Sequence, residues 1–212
     1  FIVGENNVTE LTGLPAIYER GQGGLMDIEL HPNFKENNLI FLSYASGDRE
    51  SGGNTAIASA ELLENKLVNL KLLYKGEENT TRGQHFGSRI QIDNDGYLYF
   101  TIGDRGNRDV NPQDLKKDGG KVYRINIDGS IPNDNPFIGS DGVKKAIYSY
   151  GHRNPQGIFL HPKTGKIWTN EHGPRGGDEI NIITAGKNYG WPRITYGLSL
   201  IHISEPTRPQ AI

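Results

Sequence analysis

Residues 87–101 read GSRIQIDNDGYLYFT, and this stretch decides the fold class. Ile90 and Ile92 alternate with polar neighbours, Asn94-Asp95-Gly96 supplies turn chemistry, and Tyr97 to Phe100 continue with aromatic and apolar residues. Strand-like runs on both sides of such a turn predict a β-hairpin. The plan occurs twice more, at Gly24–Tyr44 (GLMDIELHPNFKENNLIFLSY) and Gly157–Thr169 (GIFLHPKTGKIWT), with starts 63 and then 70 residues apart. Further strands are expected between them, at Thr55–Leu62, at Leu67–Tyr74 and at Lys121–Ile127 ahead of an Asp128-Gly129 turn. A unit of about four strands recurring at one pitch is the pattern of a β-propeller blade. The wide spacing predicts long loops. A closed ring takes typically ~4 to 8 blades, so the expectation is an all-β fold forming an incomplete propeller of about three.

Composition agrees. The 28 glycines and 11 prolines are spread between apolar runs, as many short strands and turns require. With 23 basic and 25 acidic residues the net charge is -2, which gives no global steering toward nucleic acid or an anionic membrane. The absence of cysteine removes disulfides, zinc-thiolate sites, iron-sulfur clusters and cysteine nucleophiles, so redox chemistry would need a bound cofactor. No apolar run approaches the ~20 residues of a membrane span, and no signal-peptide pattern precedes Phe1. The protein is therefore expected to be cytoplasmic or to have lost a leader.

Three constellations carry ligand-type side chains. In Gly83–Arg89 (GQHFGSR) and Gly103–Gly106 (GDRG), His85 precedes one strand of the central hairpin and Asp104 follows its partner. The hairpin can bring them to one end, where a carboxylate would fix the imidazole tautomer for general-base work; a pair that only ties two loops together fits the pattern slightly better. In Gly151–Gly157 (GHRNPQG), Pro155 forces Asn154 out of helical geometry, and Arg153 offers a planar cation for a carboxylate, phosphate or quinone oxygen, or else for a surface salt bridge. In Glu171–Glu179 (EHGPRGGDE), a glycine-rich turn with the adjacent carboxylates of Asp178 and Glu179 suits a hard cation such as calcium. His152, His161 and His172 lack a familiar zinc or iron spacing, and two of the three are expected to be structural.

Together these motifs resemble the soluble aldose sugar dehydrogenases, the glucose/sorbosone dehydrogenases that use pyrroloquinoline quinone on a six-bladed propeller. The resemblance runs through RGQGGLMDIELHP, GQHFGSRIQIDNDGYLYFTIGDRG, DGSIPNDNPF, YGHRNPQG, EHGPRGGDEIN and NYGWP, covering roughly Leu14 to Gly197. It implies that residues 1–197 form the partial propeller and that 198–212 (LSLIHISEPTRPQAI) are a tail foreign to the family, disordered or read through. It further implies that His85 is the base that takes the proton of the sugar C1 hydroxyl, that Asp104 orients it, and that Arg153 and Gln22 touch substrate and quinone while Asn154 binds the cofactor. The carbonyls of Gly173 and Pro174 would hold a catalytic Ca2+, and Glu179 with the backbone of Tyr189 a structural one. An exported protein, periplasmic or secreted, follows from the same resemblance, as do an aldose substrate and an electron acceptor that the residues do not name; nor do they name an oligomeric state. The basic residues that clamp the quinone's carboxylates come from later blades in the family, so weak or absent cofactor binding is expected of this chain. Two other functions compete: a non-catalytic, calcium-stiffened propeller binding module, and a calcium-dependent propeller hydrolase such as a lactonase, whose metal carboxylates would ring the channel.

Overall fold

The computed structural model describes residues 1–195 of the chain, and the tail expected at 198–212 lies outside the described residues. The all-β expectation holds. A short ribbon of β1 (Ile2–Val3) and β2 (Val8–Thr9) precedes three antiparallel meanders in chain order. The first contains β3 (Leu25–Leu30), β4 (Leu39–Asp48), β5 (Gly52–Leu63) and β6 (Lys66–Lys75). The second contains β7 (Ile90–Ile92), β8 (Tyr97–Ile102), β9 (Lys121–Asn126) and β10 (Ile147–Tyr150), and the third β11 (Pro155–Leu160), β12 (Ile167–Glu171) and β13 (Glu179–Ile182). In each sheet the spatial order equals the chain order, so every connection joins antiparallel neighbours.

All three predicted hairpins are present: Ile92 pairs with Leu98, Leu30 with Ile40, and Leu160 with Ile167. The hairpin of Leu30 and Ile40 differs in its connection, which contains a single helical turn, α1 (Phe34–Asn37). His31 Nδ1 accepts from the Asn33 N–H and contacts Asn37 Nδ2, and Asn38 ends the turn in the left-handed region at φ 53°. Asparagine tolerates that conformation, which lets β4 start at once. Strands β10 and β13 carry too little apolar pattern to be marked from sequence.

Side chains of β8 show how the sheets stack. Leu98, Phe100 and Ile102 join Phe41, Ile57 and Tyr123 in the core between the first and second meanders, where Phe100 and Tyr123 stack at 4.8 Å. Tyr99 points the other way and packs with Val122, Ile167 and Ile183 in the core between the second and third. Two-residue alternation thus buries both faces of the middle sheet. Strand β7 touches β3 on one side and β11 on the other, so the first strands of the three meanders lie side by side. Because the chain enters a first strand at the same end at which it leaves the second, five loops gather there: 20–24, 83–89, 103–106, 151–154 and 172–178. Among the described residues no helix is long and apolar enough to cross a membrane.

Candidate active site

Two glycines allow those loops to meet. A Cβ on Gly103 would lie 2.3 Å from the His85 carbonyl oxygen and 2.7 Å from Asn154 Oδ1. Gly21, at φ 61°, approaches Gly83 so closely that a Cβ would sit 2.1 Å from its carbonyl. Any larger residue would push the loops apart.

His85 and Asp104, separated by a hairpin in sequence, pair at 2.7 Å between Nδ1 and Oδ1. The histidine side chain is 14% exposed and the aspartate 1%. Gly106 N–H donates to the same Oδ1 at 2.7 Å, and the Trp191 indole N–H donates to Oδ2 at 2.9 Å. A buried carboxylate that accepts these bonds keeps the proton on His85 Nδ1, which leaves the lone pair on Nε2; that atom bonds none of the described residues. His85 itself stands at φ 54°, a conformation rare for a non-glycine residue. Gln22 supports it, accepting the His85 backbone N–H at 2.7 Å. Arg105 reinforces the same loop: nearly unexposed, it donates to the carbonyls of Gln84, Arg82 and Gly53 and lies 3.4 Å over the Phe86 ring. Burial pushes its guanidinium down to about 10.

Arg153 and Asn154 meet this dyad. The Asp104 N–H donates to the Arg153 carbonyl at 2.7 Å, and Asn154 Oδ1 accepts the Gly87 N–H at 3.1 Å, which leaves the Asn154 amide nitrogen without a partner among the described residues. The Arg153 guanidinium lies 5.5 Å from the Trp191 ring centroid and donates to the His172 carbonyl at 2.9 Å, while its buried Nε has no partner among the described residues.

Sequence reasoning missed Glu171. This carboxylate, 6% exposed, accepts His152 Nδ1 at 2.9 Å and Asn181 Nδ2 at 3.0 Å on one oxygen, and the Arg153 and Asn154 N–H groups at 2.5 and 3.2 Å on the other. The repeat itself carried the signal, because Glu171 ends the second strand of its hairpin much as Asp104 follows the second strand of the preceding one. His152 is fully buried, bonded to Ser149 and stacked on Tyr189 at 4.5 Å, and His161 stacks on Trp168 at 5.3 Å. Both are structural, as expected for two of the three histidines. His172 stays exposed, 3.4 Å from Asp178.

The glycine-rich turn is held by Asp178, whose carboxylate accepts the Gly173 N–H at 2.9 Å and is thereby kept below its ordinary range. Neither the Gly173 nor the Pro174 carbonyl accepts a hydrogen bond from the described residues. Glu179 sits opposite Glu171 in the β12–β13 register. Burial first, and the Glu171 charge second, push it up. Tyr189 lies alongside, its N–H on the Tyr150 carbonyl and its hydroxyl on the Ile182 carbonyl. Among the described residues no three His, Cys, Asp or Glu side chains converge on one point, so a cation here depends on carbonyls.

Comparisons with known proteins place the chain in a family. The family described as Glucose / Sorbosone dehydrogenase matches residues 1–207. The aldose sugar dehydrogenase YliI of Escherichia coli (strain K12) is 42% identical over 191 residues, which cover 89% of this chain and 51% of that protein. Quinoprotein glucose dehydrogenase B of Acinetobacter calcoaceticus is 36% identical over 82% of this chain and 41% of its own length. Among solved structures, the PQQ-bound aldose sugar dehydrogenase of Streptomyces coelicolor superposes with a TM-score of 0.76 at 30% identity, covering 91% of this chain and 56% of that one. The chain thus spans about half the length of the relatives it matches. It belongs to the glucose/sorbosone dehydrogenase family.

Proposed function

We propose that this chain is the half of a quinone-dependent aldose dehydrogenase that carries the catalytic base, on a six-bladed propeller of which it contributes about three blades. One observation carries the reading: His85 is held through Nδ1 by a buried Asp104 while Nε2 bonds none of the described residues, and Arg153 stands beside the pair. The residues also fit pyrroloquinoline quinone, an anionic tricarboxylate. Arg153 offers a guanidinium bonded to the described residues only through Nη1, Asn154 an amide nitrogen with no recorded bond to them, and Gly173 and Pro174 two carbonyls suited to the hard cation that accompanies it. When bound, the quinone supplies a two-electron acceptor and Ca2+ an electrophile.

His85 Nε2 takes the proton of the C1 hydroxyl while C1 loses hydride, and the C1–O single bond becomes the carbonyl of a lactone. Asp104 keeps the imidazole in the accepting tautomer and stabilises the imidazolium that forms. Gln22 holds the base in place through its backbone N–H. Glu179 and the Tyr189 backbone would hold a second, structural Ca2+, which would relieve the repulsion between Glu179 and Glu171. The test is dye reduction by the full-length protein with added quinone, Ca2+ and a panel of aldoses. Turnover that His85→Gln abolishes is expected. Absence of reduction with every aldose sinks the reading, and sugar binding that survives His85→Gln without turnover in either protein favours a binding module instead.

A further inference from the structure

We propose that Trp191 is a positioning residue for the catalytic base: its indole N–H locks the Asp104 carboxylate in the plane that His85 requires. The inference rests on the reading of His85 as the base. Trp191 lies 87 residues from Asp104 in sequence, is 6% exposed, and donates from Nε1 to Oδ2 at 2.9 Å. The other two donors to this carboxylate, His85 Nδ1 and the Gly106 N–H, share Oδ1 at 2.7 Å each. With Oδ1 alone engaged, the carboxylate would retain a torsion about Cβ–Cγ, and a turn about it would break the bond to Nδ1. The indole closes that freedom because it grips the opposite oxygen. It can do so only because its own backbone is tied down: the Trp191 N–H donates to the Gly151 carbonyl at 2.9 Å, and its carbonyl accepts Gln113 Nε2 at 2.6 Å.

The other face of Trp191 serves Arg153, whose guanidinium lies over the ring. The two roles separate chemically. Phenylalanine keeps an aromatic face for the cation while it removes the N–H donor together with part of the ring, so Trp191→Phe is read through the His85 and indole signals as well as through kcat. Replacement leaves Oδ2 buried without a donor, which favours rotation or entry of water.

The experiment has two arms on the full-length protein. In the first, with neither quinone nor sugar, 15N–1H spectra identify the Trp191 indole signal by its loss in Trp191→Phe. That signal is expected to move in Asp104→Asn, and the His85 imidazole 15N shifts, which report the tautomer, are expected to change in Trp191→Phe. The second arm is steady-state dye reduction, where kcat is expected to fall about tenfold in Trp191→Phe with KM unchanged. An indole signal indifferent to Asp104→Asn, or His85 shifts indifferent to Trp191→Phe, overturns the proposal, as does an unchanged kcat in an active enzyme. A wild-type protein that turns over no sugar sinks the dehydrogenase reading alone; the spectra then decide whether Trp191 holds the dyad.

Discussion

Replacing Glu171 by glutamine tests whether this buried carboxylate organises the half-site around Arg153. All four of its contacts are donors: His152 Nδ1 and Asn181 Nδ2 face Oε1, and the N–H groups of Arg153 and Asn154 face Oε2. Glutamine keeps the shape but has one oxygen and one NH2 group, so one pair of donors must meet another donor. Two hydrogen bonds to a charged acceptor are lost, each worth about 1.5–3 kcal/mol. Relief of the repulsion with Glu179 returns part of this. A net loss of about 3 kcal/mol is expected, a large share of the ~5–15 kcal/mol of a typical native protein. At ~2–4 °C per kcal/mol for a chain of this size, Tm should fall by about 6–12 °C. Urea unfolding of the full-length protein checks the figure through the midpoint at unchanged slope, with Glu179→Gln as the control because its one recorded side-chain bond, from Asn181 at 3.3 Å, is long. A loss below about 1 kcal/mol, or one no larger than that of Glu179→Gln, refutes the assignment of Glu171 as the organising acceptor.

Asp104→Asn should reduce kcat by about three to four orders of magnitude, since an amide cannot enforce the Nδ1–H tautomer; steady-state kinetics at constant Ca2+ read it. Calcium at about 100 times its Kd should stabilise the wild-type protein by ~2.7 kcal/mol, and a thermal shift equal in Glu179→Gln would place the ion elsewhere. Lys121 supplies a pH test. Burial pushes it down to about 7 from 10.5, against the pull of Asp118 and Asp114. Between those values the unfolded chain holds a proton that the folded chain lacks, so this contribution is full above about 10.5 and is lost as pH falls through about 7. Stability should rise by about 2 kcal/mol from pH 7 to 9 in the wild type, and Lys121→Met should flatten the rise in urea titrations at both pH values.

The hairpins were legible because each states its own case within one short stretch of chain: strand-like run, turn, strand-like run. The unbroken aromatic and apolar run of Tyr97 to Phe100 fits a strand whose two faces the structure buries, Leu98 and Phe100 on one side and Tyr99 on the other. His85 and Asp104 were legible for a related reason, since a hairpin fixes the distance between its two ends. Trp191 and Glu171 were not. Trp191 reaches Asp104 across 87 residues, and no local pattern encodes which loops of successive sheets will touch. Glu171 hid because a single acid at a strand end resembles any solvated terminus until its four donors are seen. Arg105 failed similarly: an arginine in a Gly-Asp-Arg-Gly turn reads as surface, yet here it is buried against Phe86 and three carbonyls.

The Asp104 backbone and the Glu171 carboxylate hold residue 153 between them. The Arg153 carbonyl accepts the Asp104 N–H at 2.7 Å, and the Arg153 N–H donates to Glu171 at 2.5 Å. Residue 153 therefore receives its backbone position from the loop after β8 on one side and from the end of β12 on the other. A displacement of either loop moves the guanidinium, whereas the guanidinium's own contacts are few: one carbonyl, one ring, and an Nε with no partner. Such a residue is placed by its backbone and left open at its tip, the arrangement that preorganised binding requires, because ordering the side chain is then not left to the ligand. The same logic applies to the proposed base and the carbonyls proposed for a cation, which lie on different meanders. Each sheet is rigid within itself, and loops from neighbouring sheets, cross-linked through residue 153, hold the reacting groups in register more tightly than one flexible loop carrying all of them could.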